Sequence, residues 1–297
     1  MRHRVAPVDL MLLGTVVLWS LNTTVSRYLL THDLKPLAYA TTRYFAATVL
    51  FAGFTWQREH SFRIRLSDGK LVAIAAMLIF VNQLCFVSAV HRTTASTVSL
   101  IFGTTPIFAG IGASLVGLER PGRMFWMAAG VSFVGVGFVA GGGVSHDLFG
   151  DALAVCTAAT WAGYSVTIAP LMRRYSPFRI SSVVLACGWV PLAIVSIPQL
   201  LDQGIGSFGP LMWIAFAYAV IGPLFLTNIL WFTAIRQVGP SRATLFANLQ
   251  PFVGVFFALV LLSEKLTRWE VIGGTAIAAA IILERVCREP RVAQPVE

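Results

Sequence analysis

Ten apolar runs, over residues 8–30, 36–56, 70–91, 95–118, 123–141, 151–172, 177–200, 209–235, 242–262 and 269–284, follow one another with only short polar connections between them. A helix needs about 20 residues to cross the hydrocarbon of a bilayer, and the runs cluster around that length. Backbone amides in hydrocarbon must be bonded within the spanning structure, which leaves helices or closed barrels. Runs this long and this uniformly apolar do not suit barrel strands. The sequence predicts an all-α integral membrane protein with ten transmembrane helices. Composition excludes the alternatives: 57% of the chain is hydrophobic, 12% is charged and the mean hydropathy is +0.76. Soluble domains carry about 25% charged residues, so this chain could not clothe its apolar surface in water, and it is far too apolar to be disordered. Ten spans use nearly all of the 297 residues and leave no room for a sizeable extramembrane domain.

The net charge of +9 would suggest a nucleic-acid partner in a soluble chain; in a membrane chain its location decides its meaning. Of the 22 Lys and Arg residues, sixteen fall on the side of the N-terminus and five (Arg27, Lys35, Arg92, Lys265 and Arg268) on the other, while Arg43 lies within a span. The positive-inside rule then places both termini in the cytoplasm of a multi-pass plasma-membrane protein, a bacterial inner membrane being the natural setting. The expected partners are a lipid bilayer and a small-molecule substrate, with no nucleic acid, and a monomer suffices. Arg2-His3-Arg4 before the first run resembles a signal peptide, but no small-residue cleavage site closes that run, so it is expected to stay as the first span. Cys85, Cys156, Cys187 and Cys287 form no CxxC pair, and no disulfide framework is expected.

The chain contains itself twice. Asp9 through Trp19 aligns with Asp151 through Trp161 at an offset of 142, and Pro36 with Pro177 at 141. At an offset of 145, Ala89 matches Ala234, Ser96 Ser241, Leu100 Leu245, Pro106 Pro251, Glu119 Glu264 and Arg123 Arg268. Residues 1–145 and 146–297 are thus expected to form two repeats of five spans each. Five is odd, so the second copy enters the bilayer from the opposite side and the repeats are inverted. Inverted halves can exchange conformations, which opens a site between them to each side in turn.

The five-plus-five arrangement, the Asp–Trp opening of each half, the Pro36–Arg43 spacing, and the paired patterns Pro106…Leu118-Glu119-Arg120 and Pro251…Ser263-Glu264-Lys265 resemble the EamA-type branch of the drug/metabolite transporter superfamily. The resemblance covers essentially the whole chain and implies a ten-helix carrier with a cavity between its halves, often an exporter of amino acids or related metabolites. One departure is Val184, which stands in the second copy where the first has Arg43.

Pro106 and Pro251 fall within paired spans, where each removes a backbone hydrogen bond. They read as cavity-bordering hinges or as structural kinks. Trp19 and Asn22 share a helical face with Ser26, and Trp161, Tyr164 and Ser165 form the matching cluster. Asn82 and Phe86 in the third span have near-counterparts in Asn228 and Trp231 of the eighth; Ser99 and Phe102 lie in the fourth, and Phe246, Asn248 and Gln250 precede Pro251 in the ninth. Aromatic walls with a few amides and hydroxyls are the usual build of a small-ligand site, and the same residues also serve as packing between helices. Arg43 lies about 10 Å down its helix from Pro36. It is open to three readings: a structural partner, a side chain snorkelling to the surface, or an electrostatic contact for a carboxylate-bearing substrate.

Glu119 and Glu264 close the fourth and ninth spans, where a carboxylate caps the N–H groups of the next helix; Asp9 and Asp151 suit the positive end of the helices they open. The histidines show no metal-ligand spacing, and Gly135-Val-Gly137 fits a loose dinucleotide pattern with no strand before it, so close helix packing explains it better. No cofactor or metal is expected. HExxH, GxSxG and paired intramembrane aspartates are lacking, which argues against an enzyme. Beyond Asp9 the first span holds no carboxylate, nor does the sixth beyond Asp151, so an exporter of cationic drugs lacks its expected binding group. The expected cargo is therefore a neutral or zwitterionic metabolite, amino acids first and aromatic or bulky apolar ones favoured, moved by an exporter or facilitator. Proton-coupled transport of another metabolite or drug-like compound is the alternative, ahead of a channel or receptor.

Overall fold

The computed structural model describes residues 7–115, 117, 122–142, 147–204, 208–231, 233–234, 237 and 246–286, with side chains to 283. Glu119, Ser241, Leu245, Arg236, Arg242 and Cys287 lie outside the described residues. Helices α1 (Pro7–Thr31), α2 (Pro36–Glu59), α3 (Gly69–Arg92), α4 (Ala95–Phe102), α5 (Thr105–Leu115) and α6 (Arg123–Gly142) form the first half. Helices α7 (Leu148–Met172), α8 (Pro177–Leu201), α9 (Pro210–Val220), α10 (Gln250–Leu261) and α11 (Arg268–Val286) form the second. No strand occurs among the described residues. Seven of the helical stretches are long and apolar enough to cross a membrane, and Gln250–Leu261 is a shorter apolar helix.

The helices begin where the local chemistry favours it. Pro36, Pro177 and Pro210 sit in first turns, where a missing N–H costs nothing. Thr94, Asp147 and Ser176 are N-caps whose side chains accept from Thr97 N (3.0 Å), Gly150 N (2.9 Å) and Arg179 N (3.1 Å). The sixth span thus starts at Asp147, and Asp151 lies one turn inside it, buried and accepting from Thr93 Oγ1 at 3.1 Å. Half-buried Asp147 is held below the usual carboxylate range by the Gly150 N–H, with Arg92 adding to the effect.

The proline expectation needs correction in detail. Neither Pro106 nor Pro251 kinks a continuous helix. The fourth span is broken at Gly103 and Thr104, and Pro106 sits in the first turn of α5. Turn residues Asn248 and Leu249 precede α10, with Pro251 in its first turn. The two breaks occupy equivalent places in the two halves.

Consecutive spans alternate in direction, α4 and α5 together making one span, so their ends collect at two faces. The terminal face, where α1 starts and α11 ends, carries the ion pairs Arg174–Asp68 and Arg179–Glu59 (2.6 Å). The opposite face carries Lys35–Asp202 and Arg92–Asp147 (2.9 Å). Equivalent spans of the two halves lie against each other: α2 on α8, α4 on α10 and α6 on α11. Helix α3 packs along α7, and there Cys85 and Cys156 touch as free thiols, Sγ to Sγ 3.1 Å. The outer surface carries Phe45, Val49, Trp126, Val134, Ile194, Ile214, Phe256 and Ile272, while Arg43, Asn82, Gln83 and Thr157 are buried. Apolar outside and polar inside is the arrangement a lipid solvent selects.

Candidate functional site

The bundle centre is organised by Arg43, only 2% exposed. Its Nη1 donates to Asn22 Oδ1 and to the Tyr39 hydroxyl, both at 3.0 Å, and its Nη2 donates to Gln83 Oε1 at 2.8 Å. Gln83 Nε2 donates to Asn82 Oδ1 (2.9 Å), and Asn82 Nδ2 donates to Thr157 O (2.9 Å) and Thr160 Oγ1 (3.2 Å). Tyr39 OH lies 2.7 Å from Ser26 Oγ. One polar chain therefore runs from α7 through α3 and α2 to α1. The rings of Tyr39, Tyr44 and Phe86 stand 4.9, 5.6 and 5.6 Å from the guanidinium, within cation–π reach.

Among the described residues, the acceptors that Arg43 bonds are neutral. No ion pair to Arg43 occurs among the described residues, and its buried Nε–H finds no hydrogen-bond partner there. A buried guanidinium keeps its charge, and an uncompensated charge in the membrane interior is costly. The side chain lies buried among amides and a phenol.

A second polar spot lies where α1, α4 and α10 meet. Ser20, Thr23, Ser99, Phe102, Gln250 and Pro251 line a crevice of about 10 Å³, room for about one water. Ser20 Oγ donates to Gln250 O (2.9 Å) in the first turn of α10, while the buried hydroxyls of Ser99 and Thr24 find no partner among the described residues. An added Cβ at Gly254 would lie 2.7 Å from Ser99 Oγ, so the glycine is what lets α10 approach α4. From Phe102 an aromatic wall continues through Trp161 (centroids 6.4 Å) to Tyr164 (5.5 Å).

The remaining candidates divide. Trp19 packs on Trp231 (5.2 Å), and its Nε1 donates to Pro223 O at 3.2 Å. Phe246 and Trp231 border a small cluster around Val8, Leu12 and Ala234 at the terminal face, away from Arg43. Asn228 Nδ2 bonds Leu224 O in its own helix (2.6 Å), and exposed Ser165 bonds Trp161 O (2.8 Å). Neither reaches the centre through these bonds. Asn248 lies in the turn before α10.

Sequence reasoning missed Gln83, Tyr39 and the π-helical stretch Ile221–Leu226 after α9. Gly222-Pro223 inside an apolar run was the available signal for that stretch, because a proline that cannot donate disturbs the regular ladder. Glu264 does cap a helix, but not the one that follows it. Its Oε1 accepts from Ala95 N and its Oε2 from Ser96 N, both at 2.9 Å, with Ser96 Oγ at 2.7 Å, so it caps α4 in the other half. The helix that follows is capped by Glu270 and Thr267, each accepting the other's backbone N–H (2.8 and 3.1 Å), and Thr97 Oγ1 donates to Glu270 Oε1 (2.8 Å).

Comparison with known proteins agrees with this architecture. The chain is 26% identical to the uncharacterized transporter YdeK of Bacillus subtilis, covering 84% of this chain and 86% of that protein. It is 24% identical to an uncharacterized transporter of Archaeoglobus fulgidus (84% and 88%) and 23% identical to the uncharacterized inner membrane transporter YedA of Escherichia coli (88% and 85%). A solved crystal structure superposes with a TM-score of 0.64 at 15% identity, covering 94% of this chain and 96% of its own, which shows a shared fold. Residues 6–141 and 148–284 each match the EamA-like transporter family. The two matched segments take in both halves of the bundle, and the chain belongs to that family, a membrane transporter rather than an enzyme.

Proposed function

We propose that this transporter carries a small carboxylate-bearing zwitterion, an amino acid, out of the cell, with Arg43 as the contact for the carboxylate. The observation that carries this reading is the buried guanidinium whose bonded acceptors and whose neighbour Tyr44 are all neutral, with an Nε–H that finds no acceptor among the described residues. A carboxylate can accept two parallel N–H bonds from arginine, and the charge-assisted contact is strongest where water is excluded. Phe86, Tyr39 and Tyr44 beside the guanidinium support a preference for aromatic or bulky apolar side chains. The two halves, residues 1–145 and 146–297, exchange conformations about the breaks before Pro106 and Pro251 and expose the centre to each side in turn. The sixteen-to-five division of basic residues supports cytoplasmic termini in a plasma membrane. Proton-coupled transport of a cation is not favoured: the buried carboxylates Asp151 and Glu270 lie at the opposite face and are engaged by Thr93, Thr97 and Thr267.

The test is counterflow of labelled neutral amino acids in proteoliposomes, with competition by a broad amino-acid panel. Exchange by the parent chain, lost in a folded Arg43→Gln variant and weakened in Arg43→Lys, is the expected result. A panel that neither exchanges nor competes overturns the substrate class and leaves the carrier architecture standing.

A further inference from the structure

A second basic site lies at the terminal face, far from the central chain of amides. Arg63, Ile64, Arg65, Arg174, Tyr175 and Arg179 line a recess of about 500 Å³ between the α2–α3 connection and the α7–α8 connection. The recess is built rather than fluid. Asp68, whose side chain is 2% exposed, pairs with Arg174 and accepts from Tyr175 OH at 2.7 Å, and Arg65 N donates to the same hydroxyl at 3.0 Å. Glu59 accepts from Arg179 Nε (2.8 Å) and from the Ser176 hydroxyl. Arg174 and Arg179 are thereby fixed, while the exposed side chains of Arg63 and Arg65 have no ion-pair partner among the described residues. Over residues 58–70 and 173–179, seven Lys and Arg side chains face two carboxylates. Both carboxylates are spent in holding arginines.

Apolar anchors interleave with these charges. Phe62, Ile64 and Leu66 alternate with Arg63 and Arg65; Leu66 is fully exposed, and Phe62 stacks on exposed Trp56 (centroids 6.0 Å, planes 14° apart). Exposed Trp, Phe and Leu at the end of a spanning helix suit the layer between water and hydrocarbon, where a phosphate would meet arginines at the same depth. A requirement for topology alone would be met by scattered charges and would not need a recess braced by Asp68, Tyr175 and Glu59.

We propose that this recess binds the phosphate of an anionic phospholipid headgroup from the leaflet at the terminal face. Arg63 and Arg65 supply the free donors, and Phe62 and Leu66 lie along the lipid. Occupancy would tie the α2–α3 connection of one half to the α7–α8 connection of the other.

The probes are phosphatidylglycerol, phosphatidylcholine and inorganic phosphate, each added to delipidated full-length protein in neutral detergent. Readouts are native mass spectrometry of retained lipid and the thermal midpoint. Phosphatidylglycerol is expected to be retained and to raise the midpoint, while the other two do neither. Each basic side chain near an anionic surface contributes about fivefold, so the Arg63→Gln/Arg65→Gln double variant should retain phosphatidylglycerol roughly 30-fold less tightly. That variant should keep the parent midpoint without lipid and the parent counterflow rate in phosphatidylcholine vesicles, because both residues are exposed. Equal retention of the two lipids, equal stabilisation by inorganic phosphate, or undiminished retention by the double variant would each overturn the proposal.

Discussion

Glu264 and Ser96 meet across the two halves: the carboxylate at the end of the ninth span takes the backbone N–H and the hydroxyl of Ser96 at the start of α4, at 2.9 and 2.7 Å. With Ala95 N on its other oxygen, Glu264 closes the start of α4 against the end of α10 at the opposite face. Beside it, Thr97 is bound to Glu270 at the start of α11. Three elements, α4, α10 and α11, are therefore tied by carboxylates at this face.

Weakening that tie should open the opposite face. Hydrogen bonds to a charged group contribute about 1.5–3 kcal/mol each, so Glu264→Gln should raise the open population by roughly tenfold or more. The measurement is the rate at which an impermeant maleimide, added from that face, labels Thr23→Cys in a chain whose native cysteines are replaced. An unchanged rate would show that Glu264 caps α4 without gating access.

Gln83 lies between Arg43 and Asn82, accepting from one and donating to the other. Gln83→Leu leaves a buried, charged donor short of a partner, and should destabilise the protein by about 2–3 kcal/mol. Thermal unfolding in detergent checks this. A midpoint equal to that of the parent would mean that water or a rearranged neighbour satisfies Arg43, and the amide chain would not be the fixed support described here.

The two glycines of Gly135-Val-Gly137 should behave differently. An added Cβ at Gly135 would stand 2.7 Å from Gly273 O on α11, whereas one at Gly137 meets nothing within 4 Å. Gly135→Ala should cost about 1–3 kcal/mol by forcing α6 from α11, while Gly137→Ala should be neutral or slightly stabilising through helix propensity. Equal effects in a thermal unfolding comparison would contradict the close approach of the two helices.

Trp19→Phe keeps an aromatic ring against Trp231 but deletes the Nε1 donor to Pro223 O. That carbonyl still accepts from Thr227 Oγ1 at 2.7 Å, so the cost should be only about 1 kcal/mol. Faster hydrogen exchange confined to residues 221–227 is the expected signature. Unchanged protection there would separate Trp19 from the π-helical stretch.

How far the site could be read depended on whether the signal was local. Arg43 stood out because a charge within an apolar run is rare, and Asn82 and Gln250 because amides there need partners. Tyr39 and Gln83 carried no such mark, since one aromatic and one amide among many become notable only when α2 and α3 bring them to the same guanidinium. Asn228 looked equivalent to Asn82 in the repeat, yet it bonds Leu224 O in its own helix while Asn82 reaches Thr157 on α7. In sequence Pro106 reads as a hinge or a kink within a helix because the span is one unbroken apolar run, whereas the structure breaks that run at Gly103 and Thr104 and starts a new helix.

By itself the sequence determined the all-helical membrane architecture, the approximate limits of the spans and the two-fold internal relation of the halves. Those properties follow from run length, hydropathy and periodic self-similarity, each legible along one dimension. Only the tertiary structure decided which polar groups pair. In a lipid solvent the apolar faces of helices are nearly interchangeable, so partner choice rests on a few hydrogen bonds and close glycine contacts between residues distant in the chain. That is why the neutral surroundings of Arg43, the reach of Glu264 to α4 and the recess braced by Asp68 and Glu59 appear only once the helices are placed side by side.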